Sequence, residues 1–186
     1  YTINQTMDDI LSDIYRKKPD ILCLSCYLWN ILYVEQLITE IHKVLPKMQI
    51  WLGGPEVSYH AEEMLEQYPF LDGIMKGEGE ITFRELAVYY QNQENGTEGK
   101  TLEEIHGITY RDAEGAIKSN PWRPVMDLSE VDFPYANLKK FENRIIYYES
   151  SRGCPFSCSY CLSSIDKRLR FRNLALVKKE LAFFLE

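Results

Sequence analysis

Over the first 92 residues, apolar side chains recur at helical spacing and then in short unbroken runs, by turns. Ile10, Leu11, Ile14 and Tyr15 share one face of a helix that Thr6 caps and that Pro19 ends just after Lys18. Residues 21–26 are almost continuously apolar, the pattern of a strand covered on both faces in a parallel sheet. A second helix is expected from Asn30 to Leu45, with Val34, Leu37, Ile38 and Ile41 at 3–4 spacing and Pro46 closing it. Residues 49–52 read as the next strand. Gly53-Gly54-Pro55 turns the chain into a helix from Ser58 to Gln67, and residues 72–75 form another short strand. Gly77-Glu78-Gly79-Glu80 turns it again, into a helix carrying Ile81, Leu86, Ala87 and Tyr90. Repeated β-loop-α of this kind predicts a Rossmann- or flavodoxin-like α/β domain with a doubly wound parallel sheet.

The period changes after Asn92. Residues 107–111 and 116–118 flank Asp112-Ala113-Glu114-Gly115 as a small hairpin, expected to lie outside the main sheet. Pro121, Pro124 and Pro134 punctuate a stretch without period, read as an extended linker. Residues 144–149 resume as a strand, and Asn173 to Glu186 as an amphipathic helix carrying Leu174, Val177, Leu181 and Phe184. The predicted organisation is an α/β domain over 1–119, a linker over 120–143, and one further βα unit over 144–186. One such unit cannot bury its apolar faces without neighbours. The last helix is therefore expected to be covered by further chain or to support self-association.

Composition narrows the function classes. Hydrophobic residues make up 45% and charged residues 26%, the balance of a globular protein, and no apolar run approaches the roughly 20 residues of a membrane span. No signal peptide is recognisable, which points to the cytoplasm. The net charge of -7 argues against broad contact with nucleic acid. The charge is also uneven: residues 1–126 carry 11 basic and 20 acidic side chains, and 127–186 carry 10 and 8. The basic run from Lys167 to Arg172 is read as a charged lead into the last helix.

Five cysteines are present, and three of them, Cys154, Cys158 and Cys161, fall within eight residues as C-x-x-x-C-x-x-C. Three thiolates on one short loop suit a soft metal centre in a reducing compartment, either zinc or an iron–sulfur cluster. A structural zinc site wants a fourth protein ligand. His42, His60 and His106 all lie far upstream, and 25 residues follow Cys161. Three ligands on a 4Fe-4S cluster instead leave one iron open. Cys23-x-x-Cys26 resembles a redox pair in spelling only, because strand positions three apart point to opposite faces.

Ser151-Arg152-Gly153-Cys154-Pro155-Phe156-Ser157-Cys158-Ser159-Tyr160-Cys161 resembles the cluster motif of radical S-adenosylmethionine enzymes, including the aromatic residue before the last cysteine. Leu52-Gly53-Gly54-Pro55-Glu56 and Gly77-Glu78-Gly79-Glu80 resemble loops of the cobalamin-binding domain that precedes the radical barrel in the cobalamin-dependent branch. The resemblance implies that Cys154, Cys158 and Cys161 hold a 4Fe-4S cluster, whose open iron binds S-adenosylmethionine for reductive cleavage to a 5'-deoxyadenosyl radical. It also implies a cobalamin site at the strand ends, with Ser25, Gly53, Gly54, Pro55, Glu56, Gly77, Glu78 and Gly79 as cofactor-binding residues. A β-carbon at Gly53, Gly54 or Gly77 is then expected to enter the ligand's volume. The small-molecule partners would be these cofactors, and methyl transfer or radical rearrangement the chemistry of the full-length protein.

Two departures qualify the resemblance. Members begin with a further strand and helix, whereas this chain starts at the second strand, near Tyr1-Thr2-Ile3-Asn4. It also lacks most of the barrel, so the expectation is an inactive fragment, ending in the first unit of a truncated barrel. The motif that supplies a histidine to cobalt in other cobalamin proteins is absent, and His60 is a weak candidate in its place. The alternative is a non-catalytic flavodoxin-like binding or sensor module with a zinc- or cluster-binding tail.

Overall fold

A computed structural model describes residues 1, 5–165 and 168–185. The strand start expected at 2–4 and the basic residue Lys167 lie outside the described residues. The chain divides into two compact units, Tyr1–Pro124 and Val125–Glu186.

The first unit is an α/β sandwich. Its elements run α1 (Met7–Lys17), β1 (Ile21–Ser25), α2 (Ile31–Val44), β2 (Gln49–Gly53), α3 (Pro55–Ser58), α4 (Ala61–Gln67), β3 (Gly73–Met75), α5 (Gly79–Asn95), β4 (Ile108–Arg111) and β5 (Ile117–Ser119). Thr6 caps α1 in a reciprocal box with Asp9, and Lys18 leaves the helix in the left-handed conformation. The helix expected over 58–67 is two helices, broken at Tyr59-His60, because Pro55 starts the first of them directly after Gly54. Helix α5 runs to Asn95, where Gly96 at φ +62° ends it, so the loop expected to follow Asn92 starts later.

Strands β1, β2 and β3 are parallel neighbours, with Cys23 opposite Trp51 and Trp51 opposite Gly73. The hairpin corrects one expectation. It does not stand apart: β4 pairs antiparallel with β3, placing Ile108 opposite Met75, and the sheet is mixed in the order β1-β2-β3-β4-β5. The alternation that marked residues 107–111 as a hairpin also supplies an apolar side, Ile108 and Tyr110, which needs the same cover as Trp51.

The pleat sorts the core into two layers. Ile50, Leu52 and Ile74 face α1, α2 and α4, whereas Trp51, Met75, Ile108 and Tyr110 face Leu86 of α5. Cys23 packs with the second layer and Cys26 with the first, which confirms that the two thiols cannot pair. Burial pushes them up to about 11 and about 12, so both are inert thiols.

The second unit is built on a two-stranded antiparallel ladder, β6 (Ser151–Arg152) with β7 (Arg170–Phe171), followed by α6 (Leu174–Phe183), which Asn173 caps. The strand expected over 144–149 is not formed. Ile145 and Tyr147 are 81% and 80% exposed, and ladder pairing begins only at Ser151. The segment expected to be an extended linker carries single-turn helices at Leu128–Glu130 and Leu138–Phe141, and Met126 and Leu128 are buried. Tyr135 packs edge-on and Phe133 at a tilt against Phe184, while Leu174, Leu181 and Leu185 of the last helix and its end stay exposed. Among the described residues, no helix is long and apolar enough to cross a membrane.

Candidate functional site

The carboxyl ends of three parallel strands share one edge of the first unit, the place where open α/β sheets bind ligands. Ser25 of β1 lies opposite Gly53 of β2, and Gly53 opposite Met75 of β3, so the three chains leave the sheet at one level. Each then turns by a different device.

After β1, Asn30 closes the turn from both sides: its amide donates to the Ser25 carbonyl at 2.9 Å and its side-chain oxygen accepts from the Tyr27 N–H at 2.7 Å. This turn presents Tyr27 and Trp29 as a parallel stack, with centroids 4.6 Å apart and planes 7° apart, and Trp29 is 79% exposed. After β2, Gly54 adopts φ +104° and Pro55 opens α3, with the Glu56 N–H donating to the Cys26 carbonyl at 3.3 Å. After β3, Gly77 adopts φ +74°, Glu78 stands at the N-cap of α5 and Gly79 is its first residue.

The glycines do not play one role. A β-carbon on Gly54 would lie 2.5 Å from the Cys26 carbonyl oxygen, so Gly54 is required by the protein's own backbone. That corrects the expectation that its β-carbon would enter a ligand's volume. At Gly53 the nearest atoms are an ordinary 3.5 Å away on Met75, and at Gly77 the Trp122 ring is 3.4 Å away. At Gly79 a β-carbon meets nothing within 4 Å and the backbone is ordinary helix. Gly79 is the edge glycine beside which the fold leaves open space. The sequence-predicted residues thus come together on one edge, and His60 stands exposed at the start of α4 without capping it.

Three further groups at this edge carried little sequence signal. Ser58, 3% exposed, donates its hydroxyl to the Gly54 carbonyl at 2.7 Å and accepts from the Gly77 N–H at 3.1 Å. Lys76 is 5% exposed, with Nζ at 2.9 Å from both the Ser119 hydroxyl and the Asn120 carbonyl, and burial holds its pKa below the ordinary lysine range. Trp122 lies over the Lys76 ammonium at 5.5 Å and against Tyr59 at 5.2 Å. A charged residue ending an apolar strand was the one readable sign of Lys76. Nothing local distinguished Ser58 from any helix serine.

In the second unit, the β6–β7 ladder closes the loop that carries the three cysteines. Gly153, at φ +99°, enters that loop, and a β-carbon there would sit 1.9 Å from the Arg168 carbonyl oxygen. Arg152 holds Glu149 in a forked pair just ahead of it, with N···O distances of 2.6 to 3.1 Å. Cys158 is exposed, Cys154 and Cys161 are half-buried, and the Cys161 N–H donates to the Cys158 carbonyl at 3.1 Å. Among the described residues no three His, Cys, Asp or Glu side chains converge as metal ligands. The loop has the soft donors for an iron–sulfur cluster, with its backbone pinned at both ends, but its thiols are not gathered.

Residues 1–87 match the B12 binding domain family. The match covers the first 87 of the chain's 186 residues. Relatives of the chain extend the likeness past that domain. A 2-(S-pantetheinyl)-carbapenam-3-carboxylate methyltransferase from Streptantibioticus cattleyicolor is 29% identical over 90% of this chain and 26% of its own length. An uncharacterized methyltransferase from Pyrococcus horikoshii is 29% identical over 95% of this chain and 39% of its own. The cobalamin-dependent radical SAM methyltransferase TokK from Streptomyces tokunonensis is 29% identical over 77% and 22%. Among solved structures, the cobalamin-dependent S-adenosylmethionine radical enzyme OxsB with aqua-cobalamin and S-adenosylmethionine bound superposes with a TM-score of 0.74. It is 25% identical, over 96% of this chain and 25% of that one. The chain is thus homologous to cobalamin-dependent radical SAM methyltransferases and spans between about a fifth and two fifths of the length of these curated relatives.

Proposed function

We propose that this chain holds cobalamin on the β1–β3 edge of the first unit and a 4Fe-4S cluster on Cys154, Cys158 and Cys161 of the second. In the whole protein these cofactors would serve S-adenosylmethionine-dependent radical chemistry, methyl transfer first and radical rearrangement second. The observation that carries the reading is Gly79. The fold leaves open space where its side chain would be, at the mouth of a turn that the B12 binding domain match covers.

The chain's own residues do the positioning. Gly54 and Gly77 bring backbone amides and carbonyls to the edge without side chains in the way, and the exposed Trp29 ring, stacked on the half-buried Tyr27, offers flat apolar surface for a macrocycle. Ser25, Pro55, Glu56 and Glu78 border the same edge. Bound cobalamin would supply methyl-carrying cobalt, and the cluster an electron to cleave S-adenosylmethionine. Arg152 and Gly153 set the start of the thiol loop, and the three thiolates are the donors available to iron. Cysteines that serve as cluster ligands require a reducing compartment, which supports a cytoplasmic setting. Leu174, Leu181 and Leu185 would be covered by further barrel units, or by a second copy of this chain.

Hydroxocobalamin titrated into the protein is expected to give a saturable shift of its visible spectrum. Gly79→Val should weaken that binding about tenfold, equivalent to roughly 1.4 kcal/mol, while leaving the melting temperature unchanged or slightly raised. Equal affinity in both proteins would return Gly79 to a plain helix start. Anaerobic reconstitution with iron and sulfide should load about four irons and four sulfides per chain and none in a triple Cys→Ala variant. One zinc without sulfide would instead favour a binding module with a zinc tail.

A further inference from the structure

The three turns at the strand ends are tied to one another by two different kinds of bond. Between β1 and β2 the ties are backbone: the Cys26 N–H donates to the Gly53 carbonyl at 2.6 Å, and the Glu56 N–H to the Cys26 carbonyl at 3.3 Å. Between the β2 and β3 turns the ladder ends at Gly53 opposite Met75. Beyond that level the Ser58 side chain hydrogen-bonds to both turns.

Its geometry leaves the hydroxyl one arrangement. The single proton goes to the Gly54 carbonyl at 2.7 Å, so the oxygen's lone pairs are what face the Gly77 N–H at 3.1 Å. The Gly54 carbonyl also takes the Ser58 N–H at 3.2 Å, which fixes the serine backbone as well. The next residue, Tyr59, packs on Trp122, whose ring a β-carbon on Gly77 would meet at 3.4 Å. Gly77 itself is exposed, so its N–H can turn to water if the serine is lost. Removing the hydroxyl therefore costs little stability but frees the spacing of the two turns.

We propose that Ser58 is a positioning residue for the bound corrin, holding the Gly54 and Gly77 turns at the separation that cofactor binding uses. The assignment rests on the cobalamin reading above. It is not a contact to the ligand: a 3%-exposed hydroxyl with both its bonding roles filled acts through the two glycine turns.

The test compares Ser58→Ala, Ser58→Cys and Ser58→Thr in the whole chain, with hydroxocobalamin as the probe and amide hydrogen exchange at Gly77 as a ligand-free readout. Ser58→Ala should speed Gly77 exchange, lower Tm by about 3 °C and weaken hydroxocobalamin binding about tenfold. Ser58→Thr keeps the hydroxyl and should restore binding to within about twofold of wild type and Gly77 exchange to the wild-type rate. Ser58→Cys keeps the volume with a weak donor and should fall between them. Should the threonine methyl crowd its site and unfold the chain, Ser58→Cys against Ser58→Ala carries the comparison. Equal binding by alanine, cysteine and wild-type proteins overturns the assignment, as does unaltered Gly77 exchange in Ser58→Ala. Absence of saturable binding by the wild-type chain overturns the cobalamin reading instead, and the Gly77 exchange data then still report whether Ser58 ties the turns.

Discussion

Gly54→Ala is expected to cost the first unit about 4 kcal/mol, close to the lower end of a whole domain's stability. Two terms add. An L-residue at φ +104° lies in the region that disfavours a β-carbon, worth roughly 1–3 kcal/mol of backbone strain. The new atom would also lie 2.5 Å from the Cys26 carbonyl oxygen and 3.0 Å from its nitrogen. Those are backbone atoms, and both are already committed, the nitrogen to Gly53 and the oxygen to Glu56. They cannot rotate aside as a side chain would, so overpacking adds roughly 1–3 kcal/mol. Urea unfolding followed by tryptophan fluorescence reads the effect directly, because Trp29, Trp51 and Trp122 all belong to the first unit. A loss under about 1 kcal/mol would show that the β2 turn can relax, and would restore Gly54 as a reporter of ligand volume. With the expected loss, Gly79 rather than Gly54 separates binding from stability.

In the second unit the largest effect belongs to Glu180. Its carboxylate is 7% exposed and accepts a forked pair from Arg172, Nε at 2.9 Å and Nη2 at 2.5 Å, plus the Tyr148 hydroxyl at 2.5 Å. The remaining guanidinium nitrogen of Arg172 donates to the Leu128 carbonyl, so the ion pair joins the second half of α6, through Arg172, to the segment that begins the unit. Glu180→Ala leaves a buried guanidinium without its counter-ion, and is expected to cost roughly 3 kcal/mol. The pair also sets a pH dependence. The Arg172 hydrogen bonds hold the Glu180 carboxyl below the usual glutamate range, so its stabilisation is complete above the unfolded value of about 4.3 and is lost as pH falls through the folded value. Tyr148, pushed up to about 12 chiefly by burial and then by Glu180, stays a neutral donor throughout that window. Near-ultraviolet circular dichroism of the tyrosines should show the second unit loosening on the acid side in the wild type, and already loosened at neutral pH in Glu180→Ala. Tryptophan fluorescence should not move. Unchanged tyrosine signals in Glu180→Ala would show that the pair adds nothing beyond packing.

The amino-acid order by itself determined the elements of the first unit, because helix faces and buried strands write different periods. Ile10 and Ile14, or Val34 through Ile41, admit one helical face, and residues 21–26 and 49–52 read as strands, although the first, expected to be covered on both faces, is only half-buried at the sheet edge. It also determined which cysteines could meet: three within eight residues on one loop, and Cys23 and Cys26 on opposite faces of a pleat. What it could not decide were the pairings made by residues distant in the chain. Whether the hairpin joined the sheet depended on an apolar side, Ile108 and Tyr110, finding cover beside Trp51, some 60 residues away. Whether residues 144–149 became a strand depended on partners for their backbone, and period alone does not supply a partner. The glycine turns show the same division most sharply. Gly54, Gly77 and Gly79 look alike in the sequence, yet one is demanded by the Cys26 backbone, one leans on Trp122 and one faces open space. Only the tertiary structure separates them, because a glycine records that a β-carbon is excluded without recording by what.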